Sequence, residues 1–146
     1  MARTHRARRP RVARLEKEAA EFVRWERVCR VGTVSGEGVP HVVPVCHVLA
    51  DGKIYLGSGD DATKVRNIKA NARVTVTVDA YSDHWAGLKG VMVQGTAALI
   101  GGGPRFRRAR RRLYEKYPQY STEAALTEAD SVIIEVTPTH VFTWGF

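Results

Sequence analysis

The chain has 146 residues, two cysteines and a formal net charge of +8 at pH 7. This length predicts one domain, and no apolar run approaches the roughly 20 residues that a membrane-spanning helix needs. The basic N-terminus lacks the apolar stretch of a secretory signal, and two cysteines make no disulfide framework, so we expect a cytoplasmic protein with no membrane partner.

Basic residues concentrate in two segments. Residues 1–14 hold six arginines and no acidic residue, and residues 105–112 hold six more, again without an acid. We expect residues 1–13 to form a disordered basic tail and residues 14–146 to form the folded domain. Arginine clusters can bind polyanions, but no aromatic residues alternate with these arginines and no nucleic-acid motif accompanies them. Nucleic acid is therefore not an expected partner.

The folded part is predicted to be mostly β with flanking helices. Alternating valines and threonines in residues 73–79 are typical of a half-buried strand, and Asp51-Gly52 is a strong turn signal. Apolar spacing predicts helices at about 14–28, 64–70 and 104–117. Strands are predicted at about 30–35, 39–49, 53–57, 73–79, 88–100 and 131–144. Six short, turn-linked strands interrupted by glycine and proline predict a small β-barrel.

The run 39–49 has an unusual composition for a strand. It contains Pro40 and Pro44, which cannot donate to a strand ladder, and the metal-ligand types His41, Cys46 and His47. On an extended strand, His41 and His47 would lie about 20 Å apart, too far to chelate one ion. We therefore predict no metal site here.

Residues 57–63 form a polar, glycine-bearing loop that leaves a strand and opens the helix at 64–70. Free backbone N–H groups and the helix dipole attract a phosphate at such a position. Hydroxyl and cationic side chains that could assist are present here: Ser58, Thr63, Lys64 and Arg66. The alternative is an ordinary helix N-cap, supplied by Asp60, Asp61 or Thr63, with Lys64 in solvent.

No serine, cysteine or carboxylate pair lies in a catalytic motif, so a bound cofactor would carry any redox chemistry. In order, the segments "RVGTVSGEGVPHVVPVCHVLADGKIYLGSG", "TKVRNIKANARVTVTVD" and "GVMVQGTAALI" resemble the pyridoxamine 5′-phosphate oxidase-like superfamily. Members of this superfamily are split β-barrels that bind FMN or the deazaflavin F420. The resemblance covers about residues 15–101 and extends more loosely to "YEKYP" and "SVIIEVTPTHVFTWGF".

The resemblance implies a homodimer with two cofactors at the subunit interface. The family's flavin-ring positions correspond to His41, Val42, Val43, Pro44, Val45 and Cys46. Its phosphate positions correspond to Gly57, Ser58, Thr63 and Lys64, although the oxidases commonly have arginine where this chain has Thr63. Trp144 is expected to pack near the cofactor, and no catalytic residue can be carried over.

The function that follows is an FMN-dependent oxidoreductase that transfers a hydride to or from a small molecule. One alternative is an F420-dependent reductase of the same fold. Another is a non-enzymatic protein that binds flavin or haem. A haem would need an axial ligand, for which the sequence offers His41, His47, His84 and His140.

Overall fold

The structure, a computed structural model, describes residues 11–146. Most of the predicted basic tail, residues 1–13, therefore lies outside the described residues. At the start of the described chain, the Ala13 N–H donates to the Pro138 carbonyl at 2.9 Å. None of the helices within residues 11–146 is long and apolar enough to cross a membrane.

The described chain contains four α-helices: α1 (Lys17–Trp25), α2 (Thr63–Ala70), α3 (Gly103–Lys116) and α4 (Tyr120–Glu123). It also contains seven strands: β1 (Cys29–Val34), β2 (Pro40–Val45), β3 (His47–Ala50), β4 (Lys53–Gly59), β5 (Arg73–Ala80), β6 (Lys89–Ile100) and β7 (Ser131–Trp144). Helix α1 is shorter than predicted because Glu16 and Glu26, which flank it, both have extended backbone conformations.

All seven strands join one antiparallel sheet in the order β2-β1-β5-β6-β7-β4-β3. The mostly β fold with flanking helices is confirmed, but the strand count differs from the predicted six because the run 39–49 divides at Cys46 into β2 and β3. β2 pairs with β1, whereas β3 pairs with β4. β2 and β3 are the two edge strands of the sheet, and they are consecutive in the chain. The sheet therefore curls into a barrel whose edges are connected covalently at Cys46 and not by strand pairing.

A side chain at the C-terminal cap of α3 stabilises the break at Cys46. The His47 N–H donates to the Tyr117 hydroxyl at 3.0 Å, and that hydroxyl lies 2.8 Å from the His47 carbonyl. These backbone groups are thus satisfied by a side chain where the chain changes its pairing partner. Burial raises the pKa of Tyr117 to about 12, so the hydroxyl keeps its proton for these bonds.

Two apolar clusters hold the fold together. The barrel interior is filled mainly by branched side chains of the strands, and α1 and α2 add residues such as Val23 and Val65. A second cluster lies between α3 and the outer face of β3, β4 and β7, where Phe106, Leu113 and Ile133 are fully buried. α3 therefore covers one side of the barrel with its apolar stripe, and its arginines lie on the remaining faces of the helix.

Candidate functional site

The barrel has a gap where β2 and β3 diverge. The pairing of β3 with β4 ends at His47 opposite Leu56, so Gly57–Gly59 continue along β7 alone. On the other side of the gap, β2 pairs only with β1. We call this gap, bounded by residues 40–45 of β2 and residues 57–59 of β4, the barrel opening.

The edge of β2 that faces the barrel opening is rich in hydrogen-bond acceptors. The Ser35 N–H donates to the Val39 carbonyl at 2.9 Å, which directs the backbone of Val39 toward β1. Backbone N–H and C=O groups of successive residues alternate in direction along an antiparallel strand. The backbone groups of Pro40, Val42 and Pro44 therefore point away from β1. β2 tolerates two prolines since their nitrogens face the side without a partner strand. Residues 40–45 thus offer three carbonyls and one N–H, that of Val42, to this edge.

The side chains of β2 divide between the core and the surface. Val43 and Val45 pack against the barrel core, whereas the side chains at positions 40, 42 and 44 point outward. Val42 is 64% exposed. His41 is half-buried, and its Nδ1 atom is buried without a hydrogen-bond partner among the described residues.

A cavity of about 650 Å³ lies on the outer face of the sheet beside β2. Its floor follows one row of the sheet, in which Val42, Gly32, Thr75 and Gln94 are successive cross-strand neighbours. Gly32 contributes to the depth of this row because it has no side chain. The cavity is therefore continuous with the outward face of β2.

The end of β4 is shaped by contacts with neighbouring groups. A Cβ atom on Gly57 would lie 2.7 Å from the Leu126 Cδ1 atom, so Leu126 packs directly on the glycine backbone. Ser58 is buried, and its hydroxyl donates to the Gly59 carbonyl at 2.9 Å. The oxygen of Ser58 keeps its capacity to accept, but its proton is already used.

The backbone at the start of α2 is free to bind an anion. Ala62 occupies the N-cap position and supplies no side-chain hydrogen bond, and the first turn holds no acidic residue. The Val65 and Arg66 N–H groups donate to the Ala62 carbonyl. Thr63 and Lys64 keep N–H groups without an acceptor among the described residues, as expected for a helix N-terminus. The N-cap that the sequence allowed from Asp60, Asp61 or Thr63 does not form.

Two cations lie at this end of α2. Lys64 is half-buried, burial lowers its pKa, and it takes part in none of the ion pairs formed within residues 11–146. The Arg66 guanidinium donates to the Asp61 carbonyl and, at 3.1 Å, to Thr63 Oγ1. Positive charge is unfavourable at a helix N-terminus, and a bound anion would compensate for it.

The fold brings most of the residues chosen from the sequence to the barrel opening. His41 to Val45 lie on one side, with Cys46 at its end, and Gly57 and Ser58 lie on the other. α2 starts with Thr63 and Lys64 four residues after β4 ends. Trp144 is not among them within one chain. Ser131 pairs with Gly59, whereas Trp144, 13 residues further along β7, pairs with Gly90 of β6 and lies four strands away from β2 in the sheet.

The environment of Trp144 is apolar and leaves its polar atom without a partner. Its ring lies over Gly90, where an added Cβ atom would be 2.1 Å from the Trp144 Cζ2 atom. The Nε1 atom is buried with no acceptor among the described residues. The ring centroid of the exposed Phe142 lies 6.0 Å from the ring centroid of Trp144.

A second pocket, of about 330 Å³, lies at the Cys46 end of the barrel opening, and the sequence analysis did not find it. Tyr117 and Tyr120 line it together with Val28 and Arg27, whose guanidinium stacks 4.5 Å from the Tyr117 ring centroid. The motif "YEKYPQY" shows the aromatic residues, but only the tertiary structure places them beside Cys46.

The four histidines considered for haem differ in availability. His47 is fully buried, with Nε2 2.7 Å from the Val23 carbonyl. Burial, aided by the Lys116 cation, lowers the pKa of His47 to about 4, so the ring is neutral. His84 and His140 are exposed and away from the barrel opening, which leaves His41 as the histidine that lines it. Within residues 11–146, no three His, Cys, Asp or Glu side chains are grouped to hold a metal ion.

Comparison with known proteins links this architecture to one family. The sequence profile of the family described as pyridoxamine 5′-phosphate oxidase matches residues 15–145. No curated protein matches the chain significantly.

Three solved structures illustrate the similarity. An F420 reductase has a TM-score of 0.71 at 23% identity, covering 88% of this chain and 98% of that chain. A FAD-binding protein from Mesorhizobium loti has a TM-score of 0.71 at 24% identity, covering 90% of this chain and 96% of that chain. A haem-binding protein from Mycobacterium smegmatis has a TM-score of 0.76 at 21% identity, covering 92% of this chain and 56% of that chain. At these identities the similarity establishes a shared fold.

The profile match includes every described element from α1 to β7. It agrees with the resemblance that the ordered sequence motifs indicated. The chain therefore belongs to the pyridoxamine 5′-phosphate oxidase-like family.

Proposed function

We propose that the protein is an oxidoreductase that binds FMN in the barrel opening and transfers a hydride to or from a small molecule. The observation that carries this proposal is the N-terminus of α2. It combines two free backbone N–H groups, no capping side chain and the cations Lys64 and Arg66, and it follows directly after the end of β4 at the barrel opening. This combination suits the phosphate of a nucleotide-type cofactor.

The unpaired edge of β2 suits the polar edge of an isoalloxazine ring. That ring edge presents an N–H group between two carbonyl groups, so it needs both acceptors and donors from the protein. The Val42 N–H supplies the donor, and the outward carbonyls of Pro40, Val42 and Pro44 supply acceptors. The neighbouring side chains of Val43, Val45 and Cys46 keep the strand in place through core contacts.

Bound FMN would supply the hydride-transfer chemistry, and the residues of the chain would bind and orient it. Lys64, Thr63 and the free N–H groups of α2 would hold the phosphate, with Gly57 and Ser58 along the path to the ring. The pocket of about 330 Å³ at Cys46 would admit a small, partly aromatic substrate next to the ring. The pocket's apolar walls would exclude water from that contact.

We further propose a homodimer, because the outer sheet face has a large exposed apolar content. Val42 and Phe142 on this face are 64% and 55% exposed, and Trp85, in the connection between β5 and β6, is 80% exposed. A second copy that covers this face would remove their side chains from water. It would also provide a route by which Trp144 reaches a cofactor, since within one chain it is far from the barrel opening.

Two alternatives remain as candidate functions. The similarity to an F420 reductase supports an F420-dependent reductase, because F420 has the same polar ring edge and also carries a phosphate. The similarity to a haem-binding protein supports a non-enzymatic haem carrier, with His41 as the histidine that lines the barrel opening. His47 could ligate haem only after the bond to Val23 and the surrounding core were opened.

The absorbance spectrum of protein purified from its native host separates these functions, because a foreign host can lack F420. Bound FMN gives an absorbance band at about 450 nm, F420 gives one at about 420 nm, and haem gives a Soret band. If the protein contains no chromophore, titration with FMN, F420 and haemin tests each in turn. Saturable binding of haemin but of neither flavin would contradict the proposal.

A further inference from the structure

We propose that a recess between α3 and the turn joining β3 to β4 binds a single phosphate group. The recess has a volume of about 100 Å³ and is lined by Arg105, Arg108 and Arg112, together with Tyr55, Glu135 and Asp51. It lies at the start of β4, whereas the barrel opening lies at its end. The proposal is therefore independent of the proposed oxidoreductase function.

The helical repeat divides the arginine cluster of α3 into two groups. Arg105, Arg108 and Arg112 are spaced by three and four residues, so they share one face and line the recess. The other three arginines lie on a different face of α3 and line a separate surface: Arg107, Arg110 and Arg111. Arg107 pairs with Glu128 at 3.1 Å, and Arg110 donates to the Leu126 carbonyl at 3.1 Å.

The floor of the recess is a buried carboxylate that is already compensated. Arg105 Nη2 donates to both oxygens of Glu135 at 3.0 Å, and the Tyr55 hydroxyl donates at 3.0 Å. Lys53 adds a second cation at 3.5 Å. Burial alone would favour the neutral acid, but the bonds from Arg105 and Tyr55 hold the pKa of Glu135 below its usual value. The carboxylate therefore fixes Arg105 without neutralising the rest of the recess.

Arg108 and Arg112 supply the uncompensated charge. Both are exposed, and neither takes part in any of the ion pairs formed within residues 11–146. Asp51, on the rim, also takes part in none of these ion pairs. The guanidinium groups that line the recess therefore carry more positive charge than the carboxylates offset, and an anion between them would be attracted.

The position of these arginines in α3 is unfavourable unless an anion binds. Like charges separated by three or four residues repel, as do Arg105 with Arg108 and Arg108 with Arg112. A dianion bound between Arg108 and Arg112 would relieve this repulsion, which favours an anionic ligand over a purely solvated helix face.

The chemistry of the recess selects a phosphate group. Guanidinium groups match phosphate oxygens through paired hydrogen bonds. The small volume admits one such group rather than a continuous phosphate backbone, which favours inorganic phosphate or a phosphate monoester over nucleic acid. Tyr55 lies at the same wall; burial raises its pKa to about 12, so its hydroxyl remains protonated and donates to Glu135.

Calorimetric titration with inorganic phosphate tests the proposal. The Lys64→Ala protein is titrated alongside the wild type, so that phosphate bound at α2 is not counted. In the Lys64→Ala protein we expect one saturable site per chain, and Arg108→Gln or Arg112→Gln added to that protein should weaken it about tenfold or more. Arg111→Gln is the matched control because it removes the same charge from an exposed position of the same helix that does not line the recess. We expect it to change the affinity less than about twofold.

Several results would overturn the proposal. One is the absence of saturable phosphate binding in the Lys64→Ala protein; another is an effect of Arg111→Gln as large as that of Arg108→Gln, which would indicate diffuse charge. A short DNA duplex is titrated in parallel. Tight duplex binding that falls steeply with salt, without a phosphate site, would instead assign the face to nucleic acid. Circular dichroism melting of each variant confirms that the fold is retained.

Discussion

Replacement of Lys64 is the most direct test of the cofactor site. We expect Lys64→Ala to weaken the binding of FMN because it removes a cation beside the free N–H groups of α2. A hydrogen bond to a charged group contributes about 1.5–3 kcal/mol. Lys64 is only half-buried, and Arg66 remains nearby, so we expect the lower part of this range. A loss of about 1.5–2 kcal/mol corresponds to roughly 12- to 30-fold weaker binding.

The comparison of FMN with riboflavin makes this test specific, because riboflavin has the same ring and no phosphate. Titrations that follow the quenching of flavin fluorescence give the affinity of each ligand. Lys64→Ala should weaken FMN and leave riboflavin almost unchanged. Lys69→Ala, at an exposed position in the last turn of the same helix, is the matched control and should affect neither ligand. An equal loss for both ligands, or an equal effect of Lys69→Ala, would refute the phosphate assignment.

Three further predictions concern assembly, stability and pH. Light scattering should give twice the chain mass of 16.2 kDa, and a monomer that binds a full complement of cofactor would contradict an interface site. Gly95→Ala should cost about 1–3 kcal/mol of unfolding free energy, because its Cβ would lie 2.4 Å from the Thr137 backbone carbonyl, whereas Gly101→Ala meets open space and should be neutral by chemical denaturation. The folded-state pKa of His47, about 4, lies below the usual histidine value of 6.5, so the unfolded chain binds more protons between these values. Stability should therefore fall by about 3 kcal/mol as the pH decreases from 6.5 to 4. An equally steep pH dependence in His47→Leu would show that other groups cause it.

The strands were predictable where their signal is local. The alternation of valine and threonine in residues 73–79 agrees with β5, which spans Arg73–Ala80. The break at Cys46 was not predictable, because the group that satisfies His47 there is Tyr117, 70 residues away in sequence. A single run of β-forming residues gives no indication that its two halves pair with different strands.

In the candidate site, too, some features were predictable from the local sequence and others were not. The loop before α2 indicated a phosphate-binding helix start, and the helix begins at Thr63, one residue before the prediction. The sequence did not indicate whether Arg66 assists phosphate binding at the start of α2. In the structure its guanidinium donates to the Asp61 carbonyl and to Thr63 Oγ1. The hydroxyl proton of Ser58 is directed to its own neighbour's carbonyl, a local geometry that residue type alone does not specify.

The sequence by itself determined the family, the β-rich fold and the segment that begins α2, because ordered motifs and periodicity are properties of the chain read in one dimension. The tertiary structure decided which edges remain unpaired. It showed that Pro40 and Pro44 lie on an open edge of β2, and that Trp144 lies far from the barrel opening within one chain. The physical reason is that pairing partners and side-chain contacts form between residues distant in sequence, whereas helix starts and strand alternation arise from neighbours.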